Sequence, residues 1–276
     1  MVTMTDHAIR GRSRRRPLLF RLTPVVAAVS LAAALATGCT SAEDSTDTPA
    51  PPASAPLPDG AQILQESSRT TQTLQSVHLE LDVENLPDLP VETVSADVTN
   101  QPQGAGQAMG TARVRTAPEE PFIDAEFIVV DKTLYTAAGE AAYAPVGPAE
   151  KIYDPGVILD KDKGLAHVIA EVQNPETEGR ETIDGTNVVK VTGTIDASVI
   201  DPIVPRSGEG GGAYPITLWI ADVAPPETGQ AVKPSEAASP GDGPNLVRAV
   251  VDKAPGTIEV TLSKWAEPVE VVKPKG

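Results

Sequence analysis

"VHLELDV", residues 77–83, decides the fold class. Val77, Leu79, Leu81 and Val83 fall on one side of an extended chain, and His78, Glu80 and Asp82 fall on the other. A period of two marks a strand with one dry and one wet face, the habit of antiparallel sheets. Downstream, "VETVSADV" (91–98), "GTARV" (110–114), "IDAEFIVVD" (123–131) and "KTLYTA" (132–137) read as further strands between Pro- and Gly-rich turns. "GRETIDGTNVVKVTGTI" (179–195) predicts a hairpin turning at Asp184-Gly185, and "YPITLWIADV" (214–223) another strand. "LVRAVVD" (246–252) and "TIEVTLSKW" (257–265) close the series, with a turn at Pro255-Gly256.

Helical signals are fewer. A helix is expected after a cap at Asp59, with Ile63, Leu64, Thr71 and Leu74 on one stripe. Residues 153–173 and 196–205 read as helical material between the two strand groups. Strands, then helices, then strands predict an α+β domain with an antiparallel sheet. No regular βαβ alternation appears, which disfavours a doubly wound fold.

The apolar residues are mainly Val, Ile, Leu and Ala, and aromatics make up only 3%. A sheet face of Val77, Leu79, Leu81, Val83, Ile123, Ala125, Phe127 and Val129, covered by few short helices, leaves room for an apolar ligand. Ala112 and Val114 extend that wall, and Val157, Ile158, Leu165, Val168, Ile169, Val199, Ile200 and Ile203 are the helical candidates to complete it. Composition alone does not distinguish such a cavity from a filled core.

The chain's beginning has a separate logic. Arg10, Arg12, Arg14, Arg15, Arg16 and Arg21 precede a run from Leu22 to Ala36, and Thr37 and Gly38 lead to Cys39, the only cysteine in 276 residues. A basic region, a short apolar run and small residues are the parts of an export signal. The run of 15 residues is shorter than the roughly 20 that a spanning helix needs. "LATGC" (35–39) resembles a bacterial lipobox, although the usual Leu stands one place early, at Leu35. The lipobox implies cleavage before Cys39, a diacylglycerol on its thiol, an acyl chain on its freed amine, and so a stable tether. The alternative is an ordinary signal peptide with an incidental Cys.

Residues 1–38 are thus expected to be a leader, and 39–58, rich in Pro, Ala, Ser and Thr, an extended spacer too poor in apolar residues to fold. One domain of about 210 residues follows over 59–268, with a C-terminal tail at 269–276. The whole chain has 22 Lys+Arg against 38 Asp+Glu; without the leader the balance is 16 against 37. Such acidity argues against nucleic acid as a partner and equally against docking on anionic headgroups.

Groups that do chemistry are scarce. Beyond the leader the only histidines are His78, on a polar strand face, and His167, and neither has a metal-ligand spacing. No nucleophile elbow, zinc-protease or phosphate-loop motif occurs, and "GEGGG" (208–212) lacks the Lys-Ser/Thr of a phosphate loop. Glu126, opposite Phe127, is expected to be solvated. The reading is therefore non-enzymatic, with no metal or cofactor. An envelope hydrolase, a sugar- or peptide-capturing module and a purely structural or adhesive lipoprotein with a filled core are the rivals.

Several longer strings carry a resemblance: "SVHLELDVENLPDLPVETVSADVTNQP", "FIDAEFIVVDKTLYTA", "KIYDPGVILDKDKGLAHVIAEV", "EGRETIDGTNVVKVTG" and "VTLSKWAEPVEV". In order, they are similar to the LppX/LprA/LprF/LprG lipoproteins of mycobacteria, most of all to the LprG type. The resemblance implies a strongly bent antiparallel half-barrel with helices on its concave side around a hydrophobic cavity. It implies acyl-chain cargo, from triacylated glycolipids (phosphatidylinositol mannosides, lipomannan, lipoarabinomannan) and triacylglycerol. It also implies a major-facilitator membrane transporter as partner. The expected protein is a monomer held by its lipid anchor on the outer face of the cytoplasmic membrane, with a fraction secreted. Two places depart from the family pattern. "MGTARVRTAPEEP" (109–121) introduces Arg113 and Arg115 with an apparent insertion, and residues 224–245 are expected to be a long surface loop where the family has a short hairpin turn.

Overall fold

The computed structural model describes residues 56–102, 106–139, 141–223, 241 and 243–275. The expected leader, Cys39, most of the expected spacer and most of residues 224–245, expected to be a long loop, lie outside the described residues.

Helix α1 (Gly60–Thr71) starts where expected, with the Asp59 carboxylate accepting from the Gln62 N–H at 2.9 Å. Ile63, Leu64, Thr71 and, just past the helix, Leu74 are all buried. A first meander follows: β1 (Ser76–Glu84), β2 (Val91–Thr99), β3 (Gln107–Val114), β4 (Ile123–Val130), β5 (Thr133–Ala137) and β6 (Ala144–Pro148). Residues 149–172 carry short 3-10 turns at Ala149–Lys151 and Pro155–Val157 and helix α2 (Leu165–Ala170). The second meander is β7 (Gln173–Ile183), β8 (Thr186–Asp196), helix α3 (Ala197–Ile200), β9 (Ala213–Ala221), β10 (Leu246–Lys253) and β11 (Gly256–Ser263).

All strands join one curled, open antiparallel sheet in the order β6-β5-β4-β3-β2-β1-β11-β10-β9-β8-β7. The first and last strands therefore lie at its centre, with Leu79 opposite Leu262 and Leu81 opposite Val260. The two edges, β6 and β7, are consecutive in the chain yet do not pair. Pro145 and Pro148 of β6 have no N–H to offer a further strand, so this edge stays open.

Several expectations need adjustment. Residues 153–173 are helical only at Pro155–Val157 and Leu165–Ala170. Between them the Asp160 carboxylate accepts from the backbone N–H groups of Asp162 and Lys163, a local turn that competes with helix. Residues 196–205 form helix only over Ala197–Ile200, and Pro202 prevents further extension. The last hairpin turns at Ala254-Pro255, since Gly256 already pairs with Lys253. The Asp184-Gly185 turn is as expected: both have positive φ, 47° and 82°, and Ile183 pairs with Thr186. Strand β6 has no counterpart in the sequence reading.

The two halves of the sheet are filled differently. On β8 to β11 the concave face presents Val189, Val191, Ile216, Leu218, Ile220, Val251 and Ile258, all buried. Helix α1 packs on α2, β7 and β9, and α3 on β8, so this half is covered. The Ser68 hydroxyl donates to the Ala166 carbonyl at 2.7 Å and ties α1 to α2. On β2 to β4 the concave face carries Ala96, Ala108, Gly110, Ala112 and Ala125 at facing positions. Of the helical segments, the Pro155–Val157 turn is the one that packs on β2 and β3. Small side chains under a thin cover leave space.

Candidate functional site: an apolar cavity under the first meander

That space is a cavity of about 400 Å³ between the first meander and two covering segments, Ile152–Ile158 and Ile203–Pro205. The covers are joined by Tyr153, whose hydroxyl donates to the Ile203 carbonyl at 2.9 Å. Burial first, and the adjacent Asp154 carboxylate second, hold the Tyr153 phenol above its ordinary range, so it stays a neutral donor. The Asp154 carboxylate itself accepts from the Gly156 N–H at 2.9 Å and shapes the turn that touches the sheet. Thus the "IYDPG" string builds one cover. "TLSKW" does different work: the Trp265 Nε1–H donates to the Leu246 carbonyl at 3.1 Å and closes the end of β11 over β10.

Exposure grades along the cavity. At one end Val98, Ala108 and Val129 are 3%, 1% and 3% exposed. At the other, Ile152 on the lip is 50% exposed, and Ile123, opposite Val114, is 52% exposed. The mouth therefore lies where β3 ends and β4 begins.

Of the residues expected to line a cavity, Leu79, Leu81, Ala112, Val114, Ala125, Phe127, Val129, Ile158 and Ile203 stand on its wall. Val77 and Val83 are buried at the two ends of β1, outside its span. Ile123 sits outside the lip. Leu165, Val168, Ile169 and Ile200 are buried and Val199 half-buried in the core cluster, because α2 and α3 cover the other half of the sheet, while Val157, half-buried on the Pro155–Val157 turn, packs against the same cluster without lining the cavity. The wall also takes in residues the sequence reading did not single out. Val94, Ala96 and Val98 of β2, Ala108 of β3 and Leu134 and Thr136 of β5 are among them. The signal was the alternation over Val94, Ala96 and Val98, which starts after the break at Glu92-Thr93.

Among the described residues, the polar groups on the wall are Thr136, the Tyr153 hydroxyl and Arg115. The histidines lie elsewhere. His78 Nδ1 is 2.7 Å from the Asp97 carboxylate on the convex face, and His167 is 4.0 Å from Glu171 on α2. Glu126 is not merely solvated, since it accepts from the Tyr143 hydroxyl at 2.9 Å. Burial foremost, then this bond, raises the Tyr143 phenol above its usual range. Gly208 of "GEGGG" donates its N–H to Asp201 at 3.0 Å, and Gly210, Gly211 and Gly212 take positive φ in a turn. Among the described residues, no three His, Cys, Asp or Glu side chains are placed to share a metal ion, and no helix is long and apolar enough to cross a membrane.

Fold and cavity define a class, single curled antiparallel sheets wrapped around apolar space. The chain belongs to the LppX_LprAFG lipoprotein family, which it matches over residues 59–271. It is 49% identical over 273 residues to the putative diacylated glycolipid transporter LprF of Mycobacterium tuberculosis, covering 99% of both chains. To the lipoarabinomannan carrier protein LprG of Mycolicibacterium smegmatis it is 36% identical over 258 residues, covering 92% of this chain and 97% of that one. The crystal structure of LprF from Mycobacterium bovis superposes with a TM-score of 0.70 at 54% identity, over 79% of this chain and 97% of that one. Identity is thus higher to LprF, although the strings quoted above point first to the LprG type.

Proposed function

We propose that this chain is an exported lipoprotein, anchored through acylated Cys39 on the outer face of the cytoplasmic membrane, that carries acyl lipids across the periplasm. The cargo in this reading is a glycolipid of the phosphatidylinositol mannoside, lipomannan or lipoarabinomannan kind, or triacylglycerol, with its chains under the first meander. A major-facilitator transporter serves the same export route. One observation carries the reading: an apolar cavity of about 400 Å³ lined almost wholly by aliphatic side chains. The chain's relatives, a putative diacylated glycolipid transporter and a lipoarabinomannan carrier, support the lipid-carrying part of this reading.

The physical task is solvent substitution. Moving two sixteen-carbon chains into water costs about 0.8 kcal/mol per methylene, on the order of 20 kcal/mol in all, so unassisted transfer is negligible. A carrier needs walls about as apolar as the bilayer, and no better, or it would not release. No step requires a nucleophile, a base or a metal.

Mass spectrometry of lipid extracted from the purified full-length protein, against a secreted control, tests this. Stoichiometric glycolipid or triacylglycerol is expected, and the acyl count distinguishes diacylated from triacylated cargo. A stable, lipid-free protein that takes up no added glycolipid would return the structural-lipoprotein reading to the front.

A further inference from the structure

Among the described residues, one charged side chain stands on the cavity wall. Arg115 directly follows Val114 at the mouth, and its backbone N–H donates to the Pro90 carbonyl at 2.9 Å. Its guanidinium is held by neutral partners on several sides. Nη1 donates to the Pro118 carbonyl at 2.7 Å, and Nη2 to the Leu89 carbonyl at 3.0 Å and to the Pro87 carbonyl. The group lies 4.4 Å above the centre of the Phe122 ring. Its Nε–H is buried and meets no acceptor. Among the described residues no carboxylate lies within ion-pair distance of Arg115, whereas neighbouring Arg113 is held by Glu92 at 2.6 Å.

A fixed guanidinium with no counter-charge, on the lip of an apolar cavity, is stabilised by an anion brought to it. The setting is the more notable in a chain with 38 acidic against 22 basic residues, where a carboxylate partner would be the commoner arrangement. We propose that Arg115 receives the phosphate of an acyl lipid's headgroup, so that the cavity prefers phosphate-bearing lipids to neutral lipids with the same chains. This rests on the acyl-carrier reading and goes beyond it by assigning the headgroup's charge. Chains entering through the mouth leave the headgroup at the lip, beside Val114. The aliphatic wall binds any chain alike, so discrimination falls to the one group there that makes charge-assisted bonds to phosphate.

Dioctanoyl phosphatidic acid and dioctanoylglycerol share their chains and differ by the phosphate. Calorimetric titration of each into delipidated full-length protein is expected to show the phosphate-bearing lipid bound about tenfold more tightly. Arg115→Gln should abolish that difference, and Arg115→Lys should retain part of it. Equal affinities for the wild type, or equal losses for both lipids in Arg115→Gln, would overturn the proposal. Competition by inorganic phosphate alone, as effective as phosphatidic acid, would overturn it in favour of a free-anion site. Failure of the wild type to bind either lipid would sink the carrier reading itself, a separate outcome. If Arg115→Gln does not fold, the wild-type preference is followed against ionic strength: it narrows with salt if charge sets it, and a salt-independent preference counts against Arg115.

Discussion

Ala112 and Val191 face the same concave side of one sheet, and the difference between them shows where the empty space comes from. Val191 is fully buried beneath the helices, whereas Ala112 faces the cavity and is half-buried. Enlarging each gives opposite results on this view. Val191→Phe overpacks a filled core and should cost about 1–3 kcal/mol, while Ala112→Ile should change stability by less than about 1 kcal/mol and reduce bound lipid. Denaturant unfolding and lipid quantification on the two variants check the pair. Val114→Trp, at the mouth, should lower lipid occupancy with a melting shift of no more than about 4 °C. Unchanged occupancy would remove Val114 from the site. At this scale the sequence shows which residues face inward, because alternation is a local property. Whether an inward residue meets a partner or a void depends on strands and covers far away in the chain. Val77 and Val129 read alike, yet the first is core and the second is cavity wall.

Elements joined by single bonds give the next tests. The Tyr153 hydroxyl holds one cover to the other, and Tyr153→Phe should cost about 1 kcal/mol. That is roughly 2–4 °C in melting temperature for a domain of this size. Faster lipid exchange should accompany it, measured by transfer to acceptor vesicles; unaltered exchange would mean the covers part elsewhere. Helix α3 begins at Asp196, whose carboxylate accepts from the Ser198 hydroxyl at 2.6 Å and its N–H at 2.8 Å. These bonds, the hydroxyl's first, hold the Asp196 carboxyl below its ordinary value of 3.8. A carboxyl depressed in the folded state stabilises it above the unfolded value and loses that effect as pH falls through the folded one. The melting difference between the wild type and Asp196→Asn should therefore shrink as pH drops from 5 to below 3.8. A difference constant over that range would mean the charge plays no part in the cap. The strands other than β6 were legible because their pattern repeats; "APVGP" (144–148) has no such pattern. The helices over 153–173 and 196–205 were overread, because Pro155, Asp160 and Pro202 interrupt a hydrophobic pattern that otherwise looks continuous.

For the whole molecule, the sequence made the antiparallel α+β class legible and the family resemblance supplied the bent half-barrel, but the unpaired edges needed three dimensions. Edge prolines in β6 say that the sheet stops there; they do not say that β1 and β11 meet at its centre. Membrane attachment is a question of this scale too. Cys39→Ala should move the protein from the membrane fraction to the soluble one on fractionation, with cavity binding retained; a protein still held in the membrane fraction would mean that Cys39 is not the tether.

The union of a filled half and a hollow half in one sheet has a consequence for motion. Local opening is set by how much apolar packing it breaks, so amides of β8 to β10 should exchange with solvent far more slowly than those of β3 to β5. The filled half then acts as a rigid base and the hollow half as a breathing wall, hinged along β1 and β11. Loading cargo supplies the missing contacts and should slow exchange in β3 to β5 alone, so a full carrier would be told from an empty one by the stillness of one wall.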